Sequence, residues 1–138
     1  MAGFTDYLED KVMNHLFGGV AFTAPTTYYC GLLLATPTDA TTSPSEVTGG
    51  AYARLAISWT VTGSGTAQAA SSAALTWAAA TTDWGTVTHA AVFDALTTGN
   101  MVAFETLTQS DFTTANPKTI NSGDIFKIDS GNLKVRLD

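Results

Sequence analysis

Residues 5–17 read TDYLEDKVMNHLF and run directly into Gly18-Gly19, after which the apolar residues fall into short alternating runs broken by Gly, Pro, Asn and Asp. That change of period decides the fold. Phe4, Leu8, Val12 and Leu16 recur at every fourth position with Met13 and Phe17 beside them, which sets one apolar stripe along a helix. Thr5 or Asp6 is placed to cap its start, Asp6 and Glu9 have capping-box spacing, and Gly18 is expected to supply the left-handed residue that ends it. The stripe is an attachment surface, toward the chain's own sheet or toward a neighbour.

Beyond the glycines the spacing predicts strands. Tyr28 to Leu34 is an apolar run too short for a helix and reads as a buried strand, followed by a long exposed loop from Ala35 to Gly50 that holds Pro37, Pro44 and two glycines. In the next strand Leu55, Ile57, Trp59 and Val61 alternate with Arg54, Ala56, Ser58 and Thr60, giving an apolar face and a polar one. Gly63-Ser64-Gly65 turns the chain, and the alanine-rich segment Thr66 to Ala79 lacks a helical stripe, so it too reads as strand. Thr86 to Asp94 has little charge on either side and is expected to be central. Thr98-Gly99-Asn100 turns it into Met101 to Leu107, its antiparallel partner. Shorter strands follow at Lys118 to Ile120, Ile125 to Ile128 and Leu133 to Leu137. The fold class is mainly β, a single antiparallel sandwich or barrel of roughly seven to nine strands with one N-terminal helix at 5–17 and a β body from 26 to 138. Its predicted core holds Leu55, Ile57, Trp59, Val87, Phe93, Phe104, Leu133, Val135 and Leu137.

Composition narrows the function. The chain has 138 residues, enough for one domain with a proper core. Hydrophobic residues make up 45% and charged ones only 13%, so the polar surface is mainly Thr, Ser, Gly and Asn, which another protein can cover with little loss of ion hydration. A net charge of −6 with six scattered Lys and Arg argues against nucleic acid as partner. The start MAGFTDYLEDKV does not look like a signal peptide and no apolar run approaches a membrane span, so a product made and kept in the cytosol until something else moves it, with no membrane partner, is expected. Cys30 is the sole cysteine, which rules out an internal disulfide.

No motif announces chemistry. His15 and His89 stand far apart without an i,i+4 pair or a Cys/His cluster, so no metal and no cofactor is expected. A site built from His89, Asp94 and Cys30 lacks a nucleophile elbow, and Glu105 with Asp94 reads as carboxylates at the ends of a hairpin rather than a glycosidase pair. Catalytic residues are therefore expected to be none. Of the tryptophans, Trp59 and Trp77 read as core, while Trp84 in an Asp-Trp-Gly turn is the one open to partial exposure, although packing over a sheet edge is its leading role even there.

The segments LEDKVMNHLFGGVAFTAPTTYYCGLLLATPTD, EVTGGAYARLAI, DWGTVTHAAVFDA and SGDIFKIDSGNLKVRLD, in that order, resemble a family of small tailed-phage virion proteins named as tail fibre proteins. Members start with a short helix and a Gly-Gly pair followed by an aromatic-rich strand, and similar small β proteins decorate or cement capsids. The resemblance implies a structural role on the virion. Because 138 residues without a repeat do not build a fibre shaft alone, the leading expectation is a capsid decoration or cement protein bound to the major capsid protein. The alternative is a tail-fibre or tail-tip module that reads the host surface through Trp84 and the long loop, with tail proteins as its neighbours. A polysaccharide-acting enzyme is the third reading. In each virion reading a homo-oligomer is expected, with contacts through Leu8, Val12, Leu16 and Trp84 and through the loops Ala35 to Gly50 and Thr108 to Lys118.

Overall fold

A computed structural model describes residues 3–63, 65, 67–111 and 113–136, and its order of elements follows the change of period: one helix, then only strands. The helix α1 spans Asp6–Leu16. The strands are β1 (Tyr28–Leu33), β2 (Leu55–Ile57), β3 (Trp59–Thr62), β4 (Gln68–Ser71), β5 (Leu75–Thr76), β6 (Gly85–Val87), β7 (His89–Phe93), β8 (Met101–Thr106), β9 (Lys118–Ile120), β10 (Lys127–Ile128) and β11 (Lys134–Arg136). They form a four-stranded sheet in the order β2-β1-β7-β8, a three-stranded sheet β11-β4-β3, and the pairs β10-β5 and β6-β9. Every pairing is antiparallel. The sheets do not close into a barrel, and layered sheets suit a sandwich.

The eleven strands exceed the expected number because three long ones break where they leave one sheet for another. The run 54–61 divides at Ser58, whose carbonyl accepts the Ser72 amide at 2.8 Å, so that β2 stays in the four-stranded sheet while β3 joins β4. Thr88 divides β6 from β7 in the same way, giving its amide to the Leu33 carbonyl at 2.9 Å and accepting that of Leu107 at 2.9 Å. A crossing strand also rotates its faces. Ile57 is buried, Leu55 and Trp59 are half-buried, and Val61 stands 74% exposed, so the apolar alternation did not report one continuous face.

The central sheet is apolar on both sides. Cys30, Leu32, Ala90, Val92, Val102 and Ala103 face the larger core with Val87, Ile120, Leu133, Trp77 and Trp84, while Leu33, Ala91, Phe93 and Met101 form a second cluster on the other side. All five residues of β7 are buried, as its lack of charge predicted. Of the remaining predicted core residues, Val87, Phe93 and Leu133 are buried and Phe104 and Val135 are half-buried. Leu137 lies outside the described residues.

The segment 35–50 is a loop exposed along most of its length, as expected, but it also folds back on the sheet. Where β2 stops pairing, β1 continues with residues 45–47: the Leu34 amide donates to the Ser45 carbonyl at 2.8 Å and the Val47 amide to the Leu32 carbonyl at 3.0 Å. Pro37 and Val47 are buried there. Glu46 is then held over the second cluster, where Arg54 grips it through Nε (2.8 Å) and Nη2 (2.7 Å) and the Tyr52 hydroxyl donates to it at 2.6 Å. The Arg54 guanidinium lies 3.5 Å from the centre of the Phe93 ring and donates onward to the carbonyls of Ala95 and Thr98. Gly31 makes this possible, since a Cβ there would sit 2.7 Å from Phe93 and 2.8 Å from the Glu46 carboxylate. Burial and the hydrogen bond to Glu46 push the Tyr52 hydroxyl's pKa far up, so it stays a donor.

Candidate functional site

Two ends of one helix have opposite surroundings, and the difference locates the candidate contact surface. At the start, Phe4 bridges to Ala103 on the edge of β8, the Thr5 amide donates to the Val102 carbonyl at 3.0 Å, and the Asp6 amide to Asp39 at 3.1 Å. Thr5 is the N-cap residue, as the spacing indicated, but its hydroxyl makes no cap bond. It is buried and donates to the Met101 carbonyl at 2.7 Å, fastening the helix to the sheet. The expected capping box is likewise not formed by Asp6 and Glu9; the first turn is fixed from outside, by the sheet and the folded-back loop.

The far end is braced by polar groups of its own and, through Phe22, by the edge of the larger core. Asn14 donates to the Asp10 carbonyl (3.0 Å) and carboxylate (2.9 Å) and accepts on its carbonyl from Gly18 (3.0 Å) and Val20 (3.2 Å). His15 Nδ1 accepts the Phe22 amide at 3.1 Å, which folds the following segment against the helix. The left-handed residue is Gly19, at φ +70°, not Gly18; Gly18 instead allows a close approach, since a Cβ there would lie 2.8 Å from the Asn14 side-chain oxygen and 3.0 Å from its carbonyl. On this fixed end Met13, Leu16, Phe17 and Val20 are 56%, 63%, 78% and 60% exposed. Met13, Leu16 and Phe17 share one side of the helix end by their spacing of three and four, and Val20 follows just past the glycines, so this end gathers exposed apolar side chains and is the candidate contact surface.

The residues expected to make contacts therefore separate. Leu16 is exposed and belongs to the patch, Val12 is half-buried against the larger core, and Leu8 is buried in it. Trp84 is buried too, its indole donating to the Gly50 carbonyl at 2.9 Å and meeting the Tyr52 ring edge-on at 5.4 Å, so the reading that gave it an outward contact is corrected. The indole within Asp83-Trp84-Gly85 finds its acceptor in the glycine pair of the preceding loop, which the turn signal did not reveal. Met13 and Phe17 were legible only as neighbours of the stripe, and Val20, past the glycine pair, was not singled out by the spacing at all; their exposure depends on what lies beneath.

The other constellations stay apart. Cys30 is fully buried, and burial, with the Glu46 charge next, pushes its thiol well above the ordinary range, away from the reactive thiolate. His89 pairs with Leu33 at one end of the β1–β7 ladder and Asp94 lies past Phe93 at the other, so with Cys30 they form no triad. Glu105 sits opposite Ala90 and is separated from Asp94 by the length of the same hairpin. Asp94 binds the Asn100 amide at 2.6 Å and the Asn100 side chain at 2.9 Å, closing the turn. Among the described residues no three His, Cys, Asp or Glu side chains are grouped to hold a metal ion. A groove of about 370 Å³ opens between the end of β8 and the segment around β10, lined by charges of both signs including Glu105, Lys118, Lys127 and Asp129. Beside it, the 108–116 segment forms a hairpin whose tip is fixed by Asp111 accepting from the Thr113 and Thr114 amides and from the Thr114 hydroxyl; these bonds hold the Asp111 carboxyl down to about 2.

No curated protein sequence matches the chain significantly. A family model does, over residues 3–136, and it is described as Podophage GP4 fiber I protein gp80. The match takes in α1, every strand and the apolar helix end, and it agrees with the phage resemblance carried by the sequence segments. The chain thus belongs to the podophage GP4 fiber I protein gp80 family and is a structural protein of the phage virion.

Proposed function

We propose that the chain is a fibre-associated subunit of the virion that joins the particle by seating the end of α1 in an apolar pocket of another virion protein. The observation that carries this is the patch of Met13, Leu16, Phe17 and Val20, held in one shape by Asn14 and His15 and left uncovered by the chain's own sheets. Complete burial of such side chains stabilises a contact by about 1.5–3 kcal/mol each.

The family's description as a fibre protein favours a fibre position over a capsid lattice. A chain of 138 residues without repeats fits that position as a compact module at a junction, not as a shaft. The test is complementation of a phage lacking this gene with the double variant L16E/F17E, checked for wild-type circular dichroism. Particles assembled with folded variant are expected to lack it, and labelled wild-type protein to appear at the tail in electron micrographs. Wild-type incorporation of the variant removes the helix end from the interface; label spread over the whole head supports the cement reading instead.

A further inference from the structure

The two larger sheets have four outer strands, and three of them are protected against pairing with another chain. On β8 the edge is occupied by Phe4 and Thr5. Beside β2, which is three residues long, lies β5, with the Trp77 indole donating to Ala53 just ahead of it at 3.0 Å. The outer strand β11 carries Lys134 and Arg136, charges of the kind that deter edge-to-edge pairing.

The fourth edge, β3, has none of these devices. Its residues are Trp59-Thr60-Val61-Thr62, without charge, proline or bulge, and in unbroken register with β4 from Trp59↔Ser71 to Thr62↔Gln68. Beyond that ladder, no backbone hydrogen bond among the described residues uses Thr60, Val61 or Thr62. Val61 is 74% exposed in the middle of it. The strand is also self-complementary: Thr60-Val61-Thr62 reads the same in both directions, so a two-fold axis through Val61 sets threonine against threonine and valine against valine. For a chain of net charge −6, an uncharged edge is where a second copy approaches with least repulsion.

We propose that β3 is a homophilic edge, through which two copies of this chain pair antiparallel about Val61 and extend the three-stranded sheet into a continuous six-stranded one. Thr60 then faces Thr62 of the second copy, and Val61 faces Val61 of the second copy. This surface is separate from the helix end, so the two assignments stand or fall independently.

The register gives the test. Paired antiparallel residues have Cα atoms about 4.5–5.5 Å apart, within the span of a disulfide. Cys30 is buried, so an introduced cysteine is the accessible thiol. Under mild oxidation V61C is expected to link into dimers, T60C to remain largely unlinked, and the double variant T60C/T62C to link again. In sedimentation equilibrium the wild type is expected to dimerise, and V61K, whose exposed site tolerates lysine, to need at least about tenfold higher concentration. L16E/F17E is expected to dimerise like wild type. Equal linking of T60C and V61C, an unchanged mass for V61K, or a wild type that stays monomeric overturns the proposal. So does loss of V61K from particles by a protein that is monomeric in solution, because the edge then serves a different virion protein.

Discussion

The first and last turns of α1 share one sequence pattern and meet different fates: Leu8 is 9% exposed and Leu16 63%. Helix geometry explains the divergence. Each step of four residues turns about 400°, or about 40° beyond a full circle, so Leu16 lies about 80° around the helix from Leu8. The sheet that covers the first position therefore cannot cover the last, and Val12 falls between them, half-buried. An i,i+4 stripe thus announces an amphipathic helix without stating how many surfaces it serves. Here one end meets the chain's own core and the other is left exposed.

The sharpest way to break this contrast is to place the same charge at both ends. L8E is expected to cost more than the about 2–5 kcal/mol typical of truncating a buried leucine, whereas L16E is expected to stay within about 0.5 kcal/mol. Urea midpoints of the two variants measure it; similar midpoints would mean that both ends are equally buried. The same distinction applies to ion pairs. Arg54 and Glu46 are largely buried and Lys127 and Asp129 exposed, so R54A is expected to destabilise by about 3–5 kcal/mol and K127A by less than about 1 kcal/mol.

A smaller effect tests how the inner end is fastened. T5V removes the hydroxyl that donates to Met101 in a buried place, and a loss of about 1–3 kcal/mol in thermal unfolding is expected. If T5V is neutral, the backbone bonds to Val102 and Asp39 suffice.

The smallest effect is a pH dependence seated on β7. Burial lowers the pKa of His89 from its ordinary 6.5, and its nitrogens lie 2.8 Å from the Thr88 hydroxyl and 3.2 Å from that of Thr106. Below pH 6.5 the unfolded chain binds a proton that the folded chain does not yet accept, so stability falls as the pH drops and levels off above 6.5. H89Q is expected to flatten that slope between about pH 6.5 and 5, above the range where ordinary carboxylates titrate. An identical slope in H89Q would assign the effect elsewhere.

Much of this architecture is written locally. Gly18-Gly19 ended the helix, the charge-free run at β7 foretold a central strand, and Thr98-Gly99-Asn100 produced its hairpin with β8. What was not legible depends on contacts distant in sequence. Arg54 falls on the polar face of an alternating run, yet it is buried because Glu46 and two carbonyls of the 95–98 turn neutralise it. Val61 falls on the apolar face, yet it is exposed because the chain changes sheet at Ser58. Alternation records which residues share a side and is silent about which sheet they have joined. The contact patch had the same limit: Leu16 was visible as part of a stripe, while its freedom was decided by the rotation of the helix over its support.

Cys30 carries a practical consequence. It pairs with Leu55 on one side and Val92 on the other and is wholly enclosed, so a thiol-specific reagent reaches it only after the four-stranded sheet has parted. Its rate of labelling in native buffer is then a clock for opening of the sheet, and the native protein carries that clock without any substitution. Labelling of free protein against labelling of protein within particles would measure how far assembly slows the opening of this fold.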